Sequence, residues 1–308
     1  MITTLTLNPA VDKTSVVAGL TFGGLNRVQE TMQSPGGKGI NVSKALTRLG
    51  TNTLVLGISA GDTGKWIERY LQEKNIPYDF VQGSGQTRTN LKVFDQSTET
   101  ITEFNESGSP VDRKMIDEII QKARQYAEQS EFLVLGGSVP AGVREDIYSE
   151  LISSLKDKVK IVLDADGALL AQGIEASPCI IKPNVYELEK LFNRKLESEE
   201  EILACGKTLL RKGIAKVVIS MGAAGSLLVS DEGCYKVLPV KVPVKSTVGA
   251  GDSMVAGFLH GLSRGRKVAE ALRLAAACAT AAVMTEGSET FAVEVLESVL
   301  PDIQVQEV

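Results

Sequence analysis

Short apolar runs alternate with helical patterns along almost the whole of this 308-residue chain, and that alternation limits the folds open to it. Candidate strands lie at 3–7, 53–57, 132–135, 160–163, 179–181 and 217–220. Several are uninterrupted apolar stretches, which suits strands covered on both faces. Helical periodicity fills the intervals at 39–49, 65–74, 112–129, 147–155, 199–212, 251–263 and 266–285. An α/β fold follows, with a mostly parallel sheet sandwiched between helices. The length suits one large α/β domain with a small accessory element, or two modest domains.

Two segments break the rhythm. Between Lys13 and Met32, and again from Thr89 to Phe104, polar and apolar residues alternate without helical period. Leu91, Val93, Ile101 and Phe104 sit among Asn90, Lys92, Thr100 and Glu103, which reads as antiparallel strands with one wet face. The expectation is a single domain over 1–308 with a small β-sheet built from about 13–32 and 89–105. Such a sheet would cover a site as a lid, and its apolar face suits pairing with a second copy of the chain.

Charge and cysteine usage narrow the function. Lys plus Arg number 33 against 38 Asp plus Glu, a net charge of −5, which argues against a nucleic-acid or membrane-surface partner. Four scattered cysteines without a Cys-x-x-Cys pair, and a single histidine, argue against a zinc site or a disulfide framework. The most apolar stretch, 274–284, is too short to span a bilayer, and no basic-then-apolar leader opens the chain. A reducing cytoplasm is the expected location.

Chemistry concentrates in two glycine-rich entries into helices. Lys245-Ser246-Thr247-Val248-Gly249-Ala250-Gly251-Asp252-Ser253 leads into the helix at 251–263. Backbone N–H groups at a helix start, aided by the helix dipole, suit a phosphate. Asp252 would repel that phosphate, unless it serves to take a proton from a hydroxyl attacking it. Without the preceding glycines Asp252 would read as a helix cap; with them, catalysis is the better reading. Ser34-Pro35-Gly36-Gly37-Lys38-Gly39-Ile40-Asn41 is the second entry, with a mobile cation and an amide. Familiar nucleotide motifs are absent: Glu201 stands where a Gly-x-x-x-x-Gly-Lys-Thr ending at Thr208 needs its first glycine, and no Gly-x-Gly-x-x-Gly follows a strand. His260 lies roughly 12 Å along the helix axis from Asp252, a poor geometry for a relay.

These two signatures resemble those of the PfkB-type branch of the ribokinase-like sugar kinases. The likeness extends in order through Asn8-Pro9-Ala10-Val11-Asp12, Gly136-Gly137-Ser138-Val139-Pro140, Lys182-Pro183-Asn184-Val185-Tyr186-Glu187 and Ser220-Met221-Gly222-Ala223-Ala224-Gly225. It implies a ribokinase-like three-layer sandwich with a β lid, and a kinase using ATP and Mg2+. The Asn8–Asp12 and Thr102–Gly108 stretches are most like the 1-phosphofructokinases, then the tagatose-6-phosphate kinases. Fructose 1-phosphate is therefore the expected acceptor, with tagatose 6-phosphate and fructose 6-phosphate as alternatives. A sugar-phosphate sensor without turnover is the rival class, disfavoured because Asp252, Glu187 and Asp164 are all present.

The resemblance also assigns roles. Asp252 becomes the base, with Gly249, Ala250 and Gly251 forming the anion hole. Asp12, Gly37 and Asn41 would grip sugar hydroxyls. Lys38, Arg27 and Arg88 are candidates for the resident phosphate, with a hydroxyl from Ser138. Arg27 and Arg88 lie in the proposed lid segments, so closure would be coupled to phosphate binding. Lys182, Asn184, Ser220, Gly222, Gly225, Ser246, Val248, Gly249 and Gly251 would line the ATP groove. Glu187 and Asp164 would organise magnesium, largely through waters. Some relatives bind a monovalent cation beside the anion loop, and a homodimer through the lid is the expected assembly.

Overall fold

Ile2–Thr6 (β1) is apolar or threonine throughout and buried along its entire length. Burial on both sides demands neighbours on both edges and a layer on each face. The chain supplies them as follows in a computed structural model that describes residues 1–285 and 290–308. Strands Ala10–Val17 (β2) and Glu30–Gly36 (β3) precede Lys38–Arg48 (α1), Thr53–Ala60 (β4), Gly61–Glu73 (α2) and Tyr78–Gly83 (β5). Next come Arg88–Asp95 (β6), Thr100–Asn105 (β7), Arg113–Ala127 (α3), Phe132–Gly136 (β8), Ile147–Leu155 (α4), Lys160–Asp164 (β9) and Gly167–Glu175 (α5). Ile180–Ile181 (β10), Val185–Phe192 (α6), Glu199–Leu210 (α7), Lys216–Ser220 (β11), Ser226–Ser230 (β12) and Gly233–Val237 (β13) continue the body. Ala250–Ser263 (α8), Val268–Val283 (α9), Val293–Val299 (α10) and Val305–Glu307 (β14) complete it.

The main sheet has ten strands in the order β14-β13-β12-β11-β10-β9-β8-β1-β4-β5. From β11 to β5 all pairings are parallel, while β12, β13 and β14 add an antiparallel edge. Successive side chains of a strand serve opposite faces. Leu133, Leu135, Ile161 and Leu163 pack with α3 to α7, whereas Val134 and Val162 pack with α1, α8, α9 and α10. The expected three-layer α/β sandwich is what the chain builds. Among the described residues no helix is long and apolar enough to cross a membrane. All four cysteines are free thiols.

The small sheet has the order β3-β2-β6-β7, with β2 and β6 parallel and the outer pairs antiparallel. It differs from expectation in three ways. Strand β2 begins at Ala10 and β3 runs to Gly36, so the sheet extends beyond 13–32 at both ends and takes in Asp12. Residues 18–29 are outside any strand. The wet positions also differ from those expected, because Lys92 turns inward while β7 is exposed along nearly its whole length. Lys92 is 7% exposed, while Ile101 and Phe104 are 45% and 55% exposed. Period-2 alternation separates two faces but cannot say which one turns toward the body.

Helix α8 carries the glycine–aspartate loop and is held by α9 at very close range. A Cβ on Gly257 would lie 2.8 Å from Cys278 Sγ and 2.9 Å from Ala275 Cα. The alanine-rich stretch of α9 is therefore the counter-surface for α8, buried through Ala275, Ala276 and Ala277. Gly257→Ala should lower stability by about 1–3 kcal/mol, because backbone rather than a flexible side-chain tip must give way. Thermal or urea unfolding checks this, and an unchanged midpoint would mean that the two helices are not so tightly apposed.

Candidate active site

The parallel strands end on one side of the sheet, where α1 and α8 begin, the general location of ligand sites in such sheets. Gly249 precedes α8 with a φ of 76°, in the left-handed region that favours glycine, and no side chain caps the helix. The first-turn N–H groups at Ala250, Gly251 and Asp252 are thus left to an incoming anion. Ser246 Oγ accepts from Val248 N at 3.2 Å and shapes the approach to that turn. Asp252 is 8% exposed. Asn41 Nδ2 donates to Asp252 Oδ2 at 2.8 Å, joining the first turns of α1 and α8. Asn41 Oδ1 is buried with no partner among the described residues, an acceptor that suits a ligand hydroxyl. Gly37, the residue before α1, leaves that helix start without a side-chain cap as well.

Across the cleft, Asp164 closes β9 at 1% exposure. Its Oδ1 meets Lys38 Nζ at 2.7 Å and Lys182 Nζ at 3.4 Å. Burial alone would raise the Asp164 carboxyl, but Lys182 and Lys38 outweigh it and hold it below the ordinary value. Asp252 goes the other way: burial and then the charge of Asp164 push it up, opposed by Lys38 and the Asn41 bond. Burial acts to lower the Lys38 amine, yet Asp164 and Asp252 together keep it above its usual value. Two carboxylates therefore stand in distinct states, Asp164 firmly charged and Asp252 a better proton acceptor. Lys38, assigned from sequence to the resident phosphate, has its amine engaged by Asp164. Lys182 reaches over the anion loop, with its amine 3.1 Å from where a Cβ on Gly251 would be.

Glu187 and Asn184 lock each other in a capping box at the start of α6. Asn184 N donates to Glu187 Oε2 at 2.9 Å, and Glu187 N donates to Asn184 Oδ1 at 2.8 Å. Part of Glu187 is thus structural, and burial raises its carboxyl. A magnesium ion fits this edge through waters: Asp164 Oδ2 is buried without a partner among the described residues, and a second carboxylate stands nearby. Among the described residues no cluster of three acids, histidines or cysteines exists for direct ligation. Asn184 also bridges to Ser220, and Gly222 and Gly225 bound the short turn between β11 and β12.

On the lid side, Arg88 Nη2 donates to Asn8 O at 3.0 Å and to Ser138 Oγ at 3.4 Å, and Nη1 to Glu106 O at 2.9 Å. Tyr148 Oη donates to Gly136 O at 3.0 Å and to Gly137 O at 3.1 Å, fixing the turn that presents Ser138. Asp12 faces the same cleft, paired with Lys92 and Asn90. Arg27 is exposed on the 18–29 loop, apart from these contacts. Sequence reading missed Asn8, Asn90 and Lys92. The alternation Arg88, Asn90, Lys92 on one strand face was the available signal, once Arg88 had been chosen.

A family model described as pfkB family carbohydrate kinase matches residues 4–294. The 1-phosphofructokinase of Bacillus subtilis (strain 168) is 36% identical over 308 residues, covering 99% of both chains. The D-tagatose-1-phosphate kinase of Bacillus licheniformis is 37% identical over 289 residues, 93% of this chain and 94% of that one. Phosphofructokinase-2 from Escherichia coli, solved with substrates and products, superposes with a TM-score of 0.93 at 28% identity over 98% of each chain. The same enzyme solved with potassium gives 0.92. With a family model over residues 4–294 and relatives of 36–37% identity over nearly the full length, the chain belongs to the pfkB family of carbohydrate kinases.

Proposed function

We propose that this protein transfers the γ-phosphoryl group of ATP to the C6 hydroxyl of fructose 1-phosphate, giving fructose 1,6-bisphosphate. The observation that carries this reading is Asp252, a buried carboxylate in the first turn of an uncapped helix, held by Asn41. In the proposed reaction Asp252 accepts the hydroxyl proton, and its raised affinity for protons favours that step. The N–H groups of Ala250, Gly251 and Asp252 take up charge on the transferring phosphoryl. Lys182, beside Gly251, neutralises the same oxygens, and Lys38 ties Asp164 to the Asp252 side of the cleft. Asn184, Ser220, Gly222, Gly225, Ser246 and Val248 border the nucleotide groove.

Asp164 and Glu187 would hold Mg2+ through waters, where the ion would draw charge from the phosphate oxygens of ATP. The relative solved with potassium supports use of a monovalent cation as well. Asp12, Gly37 and Asn41 take the sugar hydroxyls, while Arg88 and Ser138 take the C1 phosphate. A lid over the cleft excludes water, which would otherwise compete as acceptor. Exposed Phe22, Leu25, Ile101 and Phe104 support pairing of two copies through the lid. A cytoplasmic location, where ATP and a phosphorylated sugar are both available, goes with this chemistry.

The second reading concerns the sugar. Tagatose 6-phosphate was the sequence alternative. The tagatose kinase among the relatives is named for the 1-phosphate, which favours a C1-phosphorylated ketohexose with its free hydroxyl at C6.

An ADP-release assay at fixed Mg-ATP, run on fructose 1-phosphate, tagatose 1-phosphate, tagatose 6-phosphate and fructose 6-phosphate, tests the reading. The highest kcat/KM is expected with fructose 1-phosphate. In the same assay Asp252→Asn should lower kcat by about 10²–10⁴-fold with sugar binding retained. Near-normal turnover by that variant would remove Asp252 from the reaction. Arg88→Ala should raise KM for the phosphosugar about tenfold or more with kcat less affected, because a charge-assisted phosphate contact is lost. An unchanged KM would assign Arg88 to fold support alone.

A further inference from the structure

The lid sheet buries a charged cluster of which the reaction as described uses Asp12 but leaves Asn90 and Lys92 without a purpose. The parallel register sets Asp12 against Asn90 and Thr14 against Lys92, so Asp12, Asn90 and Lys92 share one face with Arg88. Asn90 Nδ2 donates to Asp12 Oδ1 at 2.9 Å, and Lys92 Nζ stands 3.4 Å from Asp12 Oδ2. Asp12 and Lys92 are each 7% exposed. On the β3 side, Gly36 gives the carboxylate its seat, since a Cβ there would lie 2.6 Å from Asp12 Cγ. Asn90 Oδ1 is buried and has no partner among the described residues.

We propose that Asn90 contacts the acceptor sugar directly and that Lys92 is a positioning residue, the two holding Asp12 so that the cluster reads the configuration of a ring hydroxyl. The inference rests on the ketohexose 1-phosphate reading above. Its physical basis is the cost of what is buried. A lysine and an aspartate taken out of water in a thin sheet are poor contributors to stability compared with an apolar pair. Their geometry instead fixes both oxygens of the carboxylate, one by an amide and one by an ammonium. The remaining lone pairs then point in set directions. A sugar hydroxyl is both donor and acceptor. It can satisfy the stranded Asn90 oxygen only if it enters from the cleft at the right angle. Fructose and tagatose differ only in the direction of the C4 hydroxyl, so a rigid pair of acceptors accommodates one epimer and leaves a buried acceptor unpaired with the other. Unpaired buried groups are what gives a polar site its discrimination.

Steady-state kinetics on fructose 1-phosphate and tagatose 1-phosphate, with Mg-ATP, test this on the full chain. Lys92→Met and Asn90→Ala should each raise KM for fructose 1-phosphate about tenfold or more, with KM for ATP within about twofold. Both should cut the kcat/KM ratio between the epimers by about tenfold, and Lys92→Arg should restore most of it. Thermal unfolding confirms that each variant is folded, and Lys92→Gln replaces Lys92→Met if the latter is not. Variants that keep the wild-type KM, or that lose activity equally on both epimers while KM for ATP rises in step, overturn the proposal. A wild-type protein that phosphorylates neither epimer overturns the substrate reading instead, and this cluster's assignment with it.

Discussion

Two buried carboxylates, Asp164 and Asp252, face each other across the carboxyl ends of the parallel strands, and the site depends on how their charges are held apart. Taking either out of water costs several kcal/mol, so neither can remain ionised there unaided. Lys38 and Lys182 answer that cost at Asp164, with contacts of 2.7 Å and 3.4 Å. Asp252 receives only an amide hydrogen bond and more distant cations, so its proton affinity rises. One acid thus stays a fixed charge while the other is tuned toward accepting a proton. In the proposed reaction the same lysines would face the polyphosphate, so a net charge of −5 over the whole chain is no obstacle to binding one.

The fold serves this arrangement by rigidity. Every acid and cation of the floor sits at a strand end or in the first turn of a helix: Asp164 on β9, Lys182 after β10, Lys38 on α1 and Asp252 on α8. Helix α8 cannot drift, because Gly257 and Gly261 let α9 approach to backbone contact. The lid differs in kind. Its sheet is thin, with Asp12 and Lys92 buried and the outer strand β7 exposed on both faces. Lid and floor meet through Arg88, whose guanidinium ties β6 to Asn8 and Ser138 at the ends of β1 and β8.

Much of the body is legible in the sequence because buried parallel strands are continuous apolar runs. β1, β4, β8, β9, β10 and β11 all fall within a few residues of those runs. The antiparallel end of the sheet from β12 to β14 is less legible, since short strands such as Gly233–Val237 mix polar and apolar residues without a helix between them. The glycine–aspartate loop stands out in the sequence because glycines that open an anion cradle before a helix sit directly against an acid, and the structure places that acid, Asp252, buried in the first turn of α8. Asn184 and Glu187 show the limit: their spacing fits a capping box as well as a nucleotide site, and the structure has the box. Lys92 and Asn90 show another. Alternation marks them as one face, but only the packing of the sheet onto the body turns that face inward.

The central claim is that a phosphoryl group is delivered to the start of α8, where Asp252 removes the proton from its acceptor. A crystal structure with a non-hydrolysable Mg-ATP analogue and fructose 1-phosphate tests it most directly. The terminal phosphate should rest on the N–H groups of Ala250 to Asp252, with an Asp252 oxygen about 2.6–3.2 Å from the sugar's C6 hydroxyl. A terminal phosphate bound away from that helix start, or a sugar hydroxyl beyond the reach of Asp252, would contradict the account.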